Sequence, residues 1–198
     1  MKKIYCIGDS LTEGDYGIPG KSGIANVHEK NYPYFLKQLT QCEVINKGYC
    51  GYRASHILDL FNQGTIDVTG SDIIIILLGT NGGNTASGNS VDDIAYKKIV
   101  ELCRKQAPQA HLFICTPPHV TSNPSKSNCG YYPNIKGAYD FLIPFVKKEN
   151  LELIDLFNDK TFSEETEDIM QPNDGLHFGE VGYQALADII YNHIKKYL

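Results

Sequence analysis

The chain has 198 residues, a net charge of −5 and 42% hydrophobic residues, which fits one globular domain over residues 1–198 and excludes a disordered chain. Lysine and arginine form no cluster, so nucleic acid is not an expected partner. No apolar run approaches the roughly 20 residues that cross a bilayer, and the run at 4–7 is shorter than the ~7–15 residues of a signal-peptide core. We therefore expect a cytoplasmic protein with no membrane partner.

Short apolar runs alternate along the chain with longer segments of helical periodicity. The predicted elements are, in chain order, strand 3–7, helix 34–39, strand 43–46, helix 54–62, strand 72–78, helix 91–106, strand 110–115, helix 135–149, strand 151–154 and helix 181–197. The run 72–78 (DIIIILL) is typical of a central parallel strand that is covered on both faces. Ser90 and Asp93 form a capping-box pattern before helix 91–106. The alternation predicts an α/β fold whose ligand crevice lies beyond the carboxyl ends of a parallel sheet.

The cysteines and histidines give no sign of a metal site. The six cysteines lie at 6, 42, 50, 103, 115 and 129 without a CxxC pair, so zinc is not expected. Cys6, Cys103 and Cys115 fall inside apolar segments and are predicted to be buried, and free thiols are expected throughout. The histidines at 28, 56, 111, 119 and 193 show no ligand spacing.

The motif GDSLTEG at 8–14 directly follows the first predicted strand. If the flanking glycines permit a tight turn, Ser10 can point its hydroxyl into the crevice. Glycine, aspartate and serine are also ordinary turn residues, so the motif alone fits a simple turn equally well.

Two later loops offer hydrogen-bond donors of the kind that an oxyanion hole requires. Residues 46–51 (NKGYCG) follow the second predicted strand, and residues 79–82 (GTNG) follow the central strand. A glycine exposes its backbone N–H, and the side chain of Asn81 carries an NH2 group. Each loop alone is more simply explained by ordinary loop chemistry.

The segment DGLHF at 174–178 lies just before the closing helix. If this segment turns, Asp174 can meet His177, fix its tautomer and stabilise its imidazolium form. The alternative is a helix-entry loop with an incidental histidine.

Together and in this order, the four motifs resemble those of the SGNH hydrolase family, also called GDSL esterases and lipases, over most of the chain. The resemblance implies a three-layer α/β/α sandwich with a central parallel sheet, similar to flavodoxin. It implies Ser10 as nucleophile, His177 as general base and Asp174 as the third member of a triad. It also implies an oxyanion hole formed by the backbone N–H groups of Ser10 and Gly51 and by the side chain of Asn81.

The implied reaction is a two-step acyl transfer from a small-molecule ester through an acyl-enzyme, without a metal or cofactor. A serine hydroxyl is a poor nucleophile and needs a base, and each oxyanion donor is worth ~3 kcal/mol of barrier. The family usually has aspartate after GTN, whereas Gly82 stands here, which is expected to loosen the loop that aims Asn81. Asp9 is expected to order its loop rather than to transfer protons.

The substrate is less readable from the sequence. Loops 15–31 and 117–133 are long and carry tyrosines and histidines that fit binding loops and ordinary surface loops equally well. A short acyl group, such as acetyl on a carbohydrate, is expected. A lysophospholipase or thioesterase is the nearest enzymatic alternative.

Two non-enzymatic alternatives stay open. A flavodoxin-like module that holds a phosphate after the first strand would explain Ser10 and Thr12, but it leaves GTN and DGLHF without a role. A family member that binds sugars without turnover would carry Gly82 as its mark. The sequence indicates no oligomeric state.

Overall fold

The computed structural model describes residues 1–21 and 23–198. Its centre is a parallel sheet with the strand order β2-β1-β3-β4-β5. The strands are β1 Lys3–Gly8, β2 Glu43–Gly48, β3 Ile73–Leu77, β4 His111–Cys115 and β5 Glu152–Ile154. The helices are α1 Ser10–Glu13, α2 Tyr32–Thr40, α3 Ala54–Asn62, α4 Val91–Gln106, α5 Tyr132–Glu149, α6 Glu167–Met170 and α7 Glu180–Ile194, with 3₁₀ turns at Gly23–Asn26 and Lys195–Tyr197.

The strand β1 lies between β2 and β3, so the chain winds outward from it in both directions. Gly8, at the end of β1, pairs in register with Gly48 of β2 and Leu77 of β3. The loops that follow these three strands therefore leave the sheet side by side, at the topological switch point of a flavodoxin-like strand order.

Helices cover both faces of the sheet because the central strand is apolar on both faces. Ile74 and Ile76 of β3 pack with α3, α4 and α5, whereas Ile73, Ile75 and Leu77 pack with α2 and α7. None of the five side chains is more than 1% exposed. The predicted three-layer α/β/α sandwich with a central parallel sheet is confirmed.

All predicted strands and helices are present, and the differences lie at their ends. The strand β2 continues to Gly48 because this residue still pairs with β1. Helix α5 begins earlier, at Tyr132, with Pro133 in its first turn, where the missing N–H of proline has no intrahelical partner to lose. Helix α7 ends at Ile194, and the last predicted turn is a 3₁₀ helix. Helix α1 was not predicted, because four residues are too few to show a helical period.

The cysteines predicted to be buried, Cys6, Cys103 and Cys115, are buried, and all six cysteines are free thiols. Burial raises the pKa of Cys6 and of Cys103 to about 12, so both stay protonated near neutral pH. Within residues 1–21 and 23–198, no group of three or more His, Cys, Asp or Glu side chains is arranged to hold a metal ion. The same residues include no helix with the length and apolar character of a membrane span.

Candidate active site

The side chain of Ser10 is placed by the turn between β1 and α1. Asp9 caps α1, and its Oδ1 accepts a hydrogen bond from the backbone N–H of Leu11 at 3.0 Å. Position 8 requires glycine, because a Cβ on Gly8 would lie 2.0 Å from the hydroxyl oxygen of Thr12. This tight turn brings Ser10 to the carboxyl end of the sheet, where it is 4% exposed.

The structure brings Ser10 together with His177 and Asp174 from the far end of the sequence. Nε2 of His177 lies 2.9 Å from Oγ of Ser10, and Nδ1 of His177 lies 2.6 Å from Oδ2 of Asp174. Oδ1 of Asp174 accepts hydrogen bonds from the backbone N–H groups of Leu176 at 3.0 Å and of His177 at 2.9 Å. The DGLHF segment is therefore an aspartate-centred turn that aims the carboxylate at the imidazole. We call these three residues the relay.

The electrostatics of the relay favour a positive charge on the imidazole. Burial lowers the pKa of His177, but the hydrogen bond and negative charge of Asp174 outweigh it, so the pKa is raised above 6.5. Burial likewise raises the pKa of Asp174, and the hydrogen bonds from His177 and Leu176 outweigh it, so that pKa is lowered below 3.8. Asp174 thus stays ionised near neutral pH, and its negative charge favours the protonated form of the imidazole.

The predicted oxyanion donors, Gly51 and Asn81, lie in neighbouring loops at the same edge of the sheet. The backbone N–H of Tyr49 donates to the carbonyl of Gly8 at 3.1 Å, which ties the loop after β2 to the end of β1. The side chain of Asn81 donates to the carbonyl of Tyr52 at 3.0 Å, which ties the loop after β3 to the loop after β2. An amide NH2 group has two protons, so one N–H of Asn81 is left for a further acceptor. Among the described residues, neither donor hydrogen-bonds to the relay.

The loop that carries Asn81 is held firmly despite the glycine that follows it. Nε of Arg53 donates to the carbonyl of Asn81 at 2.9 Å, and the N–H of Gly82 donates to the carbonyl of Gly79 at 3.0 Å. Gly82 has φ +77°, and a Cβ there would lie 2.6 Å from Oδ1 of Asn134. The backbone and its surroundings therefore favour glycine at this position.

Asp9 is a buried carboxyl group directly before Ser10 in the chain. It is fully buried, and burial raises its pKa to about 6 against the lowering influence of Leu11, Thr80 and His177. No described residue hydrogen-bonds to its Oδ2. Its cap on α1 agrees with the expectation that it orders the loop.

Two further residues belong to the site but were not predicted. Asp15 lies directly after the GDSLTEG motif, and its position next to that motif is the one signal that could have found it. Tyr183, fully buried on α7, donates its hydroxyl to the carbonyl of Asp15 at 2.6 Å. Nothing near Tyr183 in the sequence distinguishes it from the other apolar residues of an amphipathic helix.

A cavity of about 610 Å³ adjoins His177 and Asp174. Both long loops contribute to its wall, although Ser22 of loop 15–31 lies outside the described residues. Most of the side chains in the wall are polar; they include Asp15, Lys21, Asn26, Ser125, Lys126, Asn128 and Asn173. The cavity can therefore accept hydroxyl-rich or charged groups beside the imidazole.

The model of the GDSL-like Lipase/Acylhydrolase family matches residues 6–185. Among solved structures, the aryl esterase of M. smegmatis is similar at 17% identity, with 100% of both chains covered and a TM-score of 0.72. A carbohydrate acetylesterase family member from Sinorhizobium meliloti is similar at 19% identity, covering 100% of this chain and 99% of the other, with a TM-score of 0.70.

The lipase/acylhydrolase from Enterococcus faecalis is similar at 24% identity, covering 99% of this chain and 96% of the other, with a TM-score of 0.68. At sequence identities this low, the similarity to these solved structures shows a shared fold and nothing more. No protein with a curated description matches the sequence.

Proposed function

The chain belongs to the GDSL-like lipase/acylhydrolase family, and on that premise we propose that it is a serine esterase that hydrolyses a short-chain ester. The observation that carries this proposal is the relay: Oγ of Ser10 lies 2.9 Å from Nε2 of His177, whose Nδ1 lies 2.6 Å from Asp174. These distances fit proton transfer between nucleophile and base, and a hydrogen bond that fixes the tautomer of the base.

In the proposed first step, Oγ of Ser10 attacks the ester carbonyl carbon while Nε2 of His177 takes the hydroxyl proton. The resulting tetrahedral intermediate carries its negative charge on the former carbonyl oxygen. When it collapses, the bond to the alcohol breaks and His177 returns its proton to the leaving oxygen. A water molecule then attacks the carbonyl carbon of the acyl-enzyme while Nε2 of His177 takes a proton from it. The second tetrahedral intermediate collapses, the acid leaves, and His177 returns the proton to Oγ of Ser10.

We assign the oxyanion hole to the backbone N–H groups of Ser10 and Gly51 and to the side chain of Asn81. The remaining N–H of Asn81 supports this assignment, as does the backbone N–H of Gly51, which donates to no backbone carbonyl among the described residues. Donors in such fixed positions stabilise charge that develops only in the transition state.

The proposed substrate is an acetyl or similarly short ester of a polar alcohol such as a carbohydrate. The leaving oxygen must receive its proton from His177, so the alcohol occupies the space beside that ring. The cavity there is lined mostly by amides, hydroxyls and charged groups, which suit a hydroxyl-rich alcohol better than a lipid chain. The likeness to the Sinorhizobium meliloti carbohydrate acetylesterases agrees with this choice.

The first test is the hydrolysis of p-nitrophenyl esters from acetate to octanoate by the wild-type protein, Ser10→Ala and His177→Gln. We expect the highest kcat/KM with acetate, and a loss of roughly 10⁴-fold or more in both variants. A fluorophosphonate probe should label the wild type but neither variant. Ser87→Ala, which removes a hydroxyl from an exposed residue outside this cavity, is the matched control and should keep both activity and labelling.

Three results would contradict the proposal in different ways. A preference for octanoate would favour a lysophospholipase or thioesterase. Labelling of Ser10 without turnover of any ester in the series would reject short-chain hydrolysis. The absence of both labelling and turnover would favour a binding protein without catalysis.

A further inference from the structure

Asp15 is fixed in position relative to the nucleophile by its backbone. Its N–H donates to the carbonyl of Ser10 at 3.0 Å, and its own carbonyl accepts the hydroxyl of Tyr183 at 2.6 Å. The residue is 8% exposed. The two bonds hold the backbone of Asp15 beside the chain that carries Ser10.

The carboxylate of Asp15 is buried with little to balance its charge. Oδ1 accepts the backbone N–H of Gly17 at 2.8 Å, and Oδ2 faces Sγ of Cys50 at 3.5 Å. A thiol is a weak donor, and burial raises the pKa of Cys50 so that it remains a thiol. Among the described residues, Asp15 has no lysine, arginine or histidine as a salt-bridge partner. A buried carboxylate of this kind is stabilised by any positive charge that forms nearby.

The nearest place where a positive charge forms during the proposed reaction is His177. Asp15, Asp174 and His177 line the same cavity. Asp15 takes no part in the hydrogen bond between Asp174 and His177. We infer that Asp15 is a positioning residue for the ester hydrolysis proposed above: it acts through His177 as a second negative charge that stabilises the imidazolium. The effect of Asp15 on catalysis rests on the proposed function. The interaction between Asp15 and the imidazolium of His177 can be measured without turnover.

The charged groups around His177 support this role for Asp15. Burial opposes protonation of the ring, and the influences that raise its pKa come from Asp174 first and then from Asp15 and Asp9. The two lysines in the cavity wall are Lys21 and Lys126. The ammonium group of Lys126 is already paired, at 3.2 Å from Glu167 and 2.8 Å from Asp168. Lys21 is exposed, so its charge is screened by solvent.

The test is Asp15→Asn, because the amide keeps an oxygen for the N–H of Gly17 and removes only the charge. NMR titration of histidine-labelled protein, with the signal assigned by His177→Gln, measures the pKa of His177 directly. We expect a lower pKa in Asp15→Asn, since the imidazolium loses a stabilising charge. The acid limb of the kcat profile for p-nitrophenyl acetate should move to lower pH by the same amount. The plateau kcat should fall about threefold to tenfold with little change in KM, as for a charge that does not touch the reacting atoms.

Asp188→Asn is the matched control, because it removes an equal charge from an exposed residue. Asp188 lies about 12 Å along α7 from Glu180, the first residue of that helix, and thus away from the DGLHF turn. It should leave the pKa of His177 unchanged, and Asp15→Glu should restore most of the wild-type value. If Asp15→Asn does not fold, Asp15→Ser replaces it, because its hydroxyl can still accept the N–H of Gly17.

An unchanged pKa of His177 in the neutral variant would overturn the inference even if the wild type hydrolyses esters. A lowered pKa in a protein that hydrolyses no ester would support the interaction and reject the proposed function instead. The two failures are therefore distinguishable.

Discussion

At the scale of single residues, Gly82 stands where the GDSL family usually carries aspartate. We predict that Gly82→Asp lowers both stability and activity rather than improving either. The residue has φ +77°, which strains any residue with a Cβ, and that Cβ would lie 2.6 Å from Oδ1 of Asn134. The expected loss in the free energy of unfolding is about 2–3 kcal/mol, from backbone strain and steric overlap together. Urea denaturation and kcat/KM for p-nitrophenyl acetate measure the two effects.

Gly64→Asp separates the two causes. Gly64 has φ +73°, but a Cβ there would meet no atom within 4 Å, so this variant carries the backbone strain without the overlap. It should lose about 1 kcal/mol and no activity. A gain in kcat/KM for Gly82→Asp would contradict the prediction and would mean that Gly82 is a defect in the loop that carries Asn81.

At the scale of elements, the start of α4 holds the loop that precedes it. Ser90 Oγ accepts the N–H of Asp93 at 3.0 Å, and Asp93 Oδ2 accepts the N–H of Ser90 at 2.9 Å, which is the capping box that the sequence predicts. Asp93 also accepts the side-chain N–H of Asn84 at 3.0 Å and the hydroxyl of Thr85 at 2.9 Å. The cap of α4 is thus also the anchor of the loop that follows GTN.

We predict that Ser90→Ala costs about 1 kcal/mol in the free energy of unfolding and leaves kcat unchanged. Asp93→Ala should cost about 2–3 kcal/mol, because it removes the cap and the bonds to Asn84 and Thr85, and it should lower kcat by releasing the loop that carries Asn81. Guanidinium denaturation and esterase kinetics provide the two measurements. Equal losses and equal kcat values for both variants would show that the loop bonds contribute nothing.

The contribution of Asp93 should also depend on pH. Burial opposes ionisation, but the hydrogen bonds from Asn84, Ser90 and Thr85 outweigh it, so the pKa of Asp93 is lowered from 3.8. A lowered carboxyl pKa stabilises the folded state above the unfolded value and loses that effect as the pH falls through the folded value. The difference between wild type and Asp93→Ala should therefore be full at neutral pH and shrink below about pH 4.

The elements themselves could be predicted because each leaves a local pattern. The Ile73–Leu77 strand is a run of β-branched and apolar residues, and α4 has both a cap and a period. The predicted strand 43–46 ends two residues before β2 does, because Lys47 and Gly48 are not apolar and their strand conformation depends on pairing with β1. Local propensity carries no information about such a partner.

At the scale of the whole molecule, the sequence order of the motifs predicted which residues meet but not how they are supported. The resemblance supplied Ser10, His177 and Asp174, and the parallel sheet explains why loops after different strands converge. The charge environment depends instead on burial, which no local pattern reveals. Asp15, for example, is a buried carboxylate that contacts Tyr183 of α7 and Cys50 of the loop after β2, both distant from it in sequence.

The turn that carries His177 is supported by a segment distant in sequence. Nε2 of the fully buried Gln171 donates to the carbonyls of His119 at 2.7 Å and Leu176 at 3.0 Å. The N–H of Thr121 donates to the carbonyl of Gly175 at 2.8 Å. The loop after β4 and the DGLHF turn therefore form one hydrogen-bonded unit, and the position of the imidazole depends on both.

We predict that Gln171→Met, which keeps the size of the side chain and removes its donor, costs about 2–3 kcal/mol in the free energy of unfolding. The buried carbonyl of Leu176 and the partly buried carbonyl of His119 would both lose this donor. The plateau kcat should fall about tenfold with KM nearly unchanged, because His177, the proposed base, is displaced while the cavity wall remains. Gln184→Met, on the exposed face of α7, is the matched control and should change neither quantity. If Gln171→Met is less stable but keeps its kcat, the hydrogen bonds between the loop after β4 and the DGLHF turn support the fold alone. The orientation of the His177 ring is then set by Asp174.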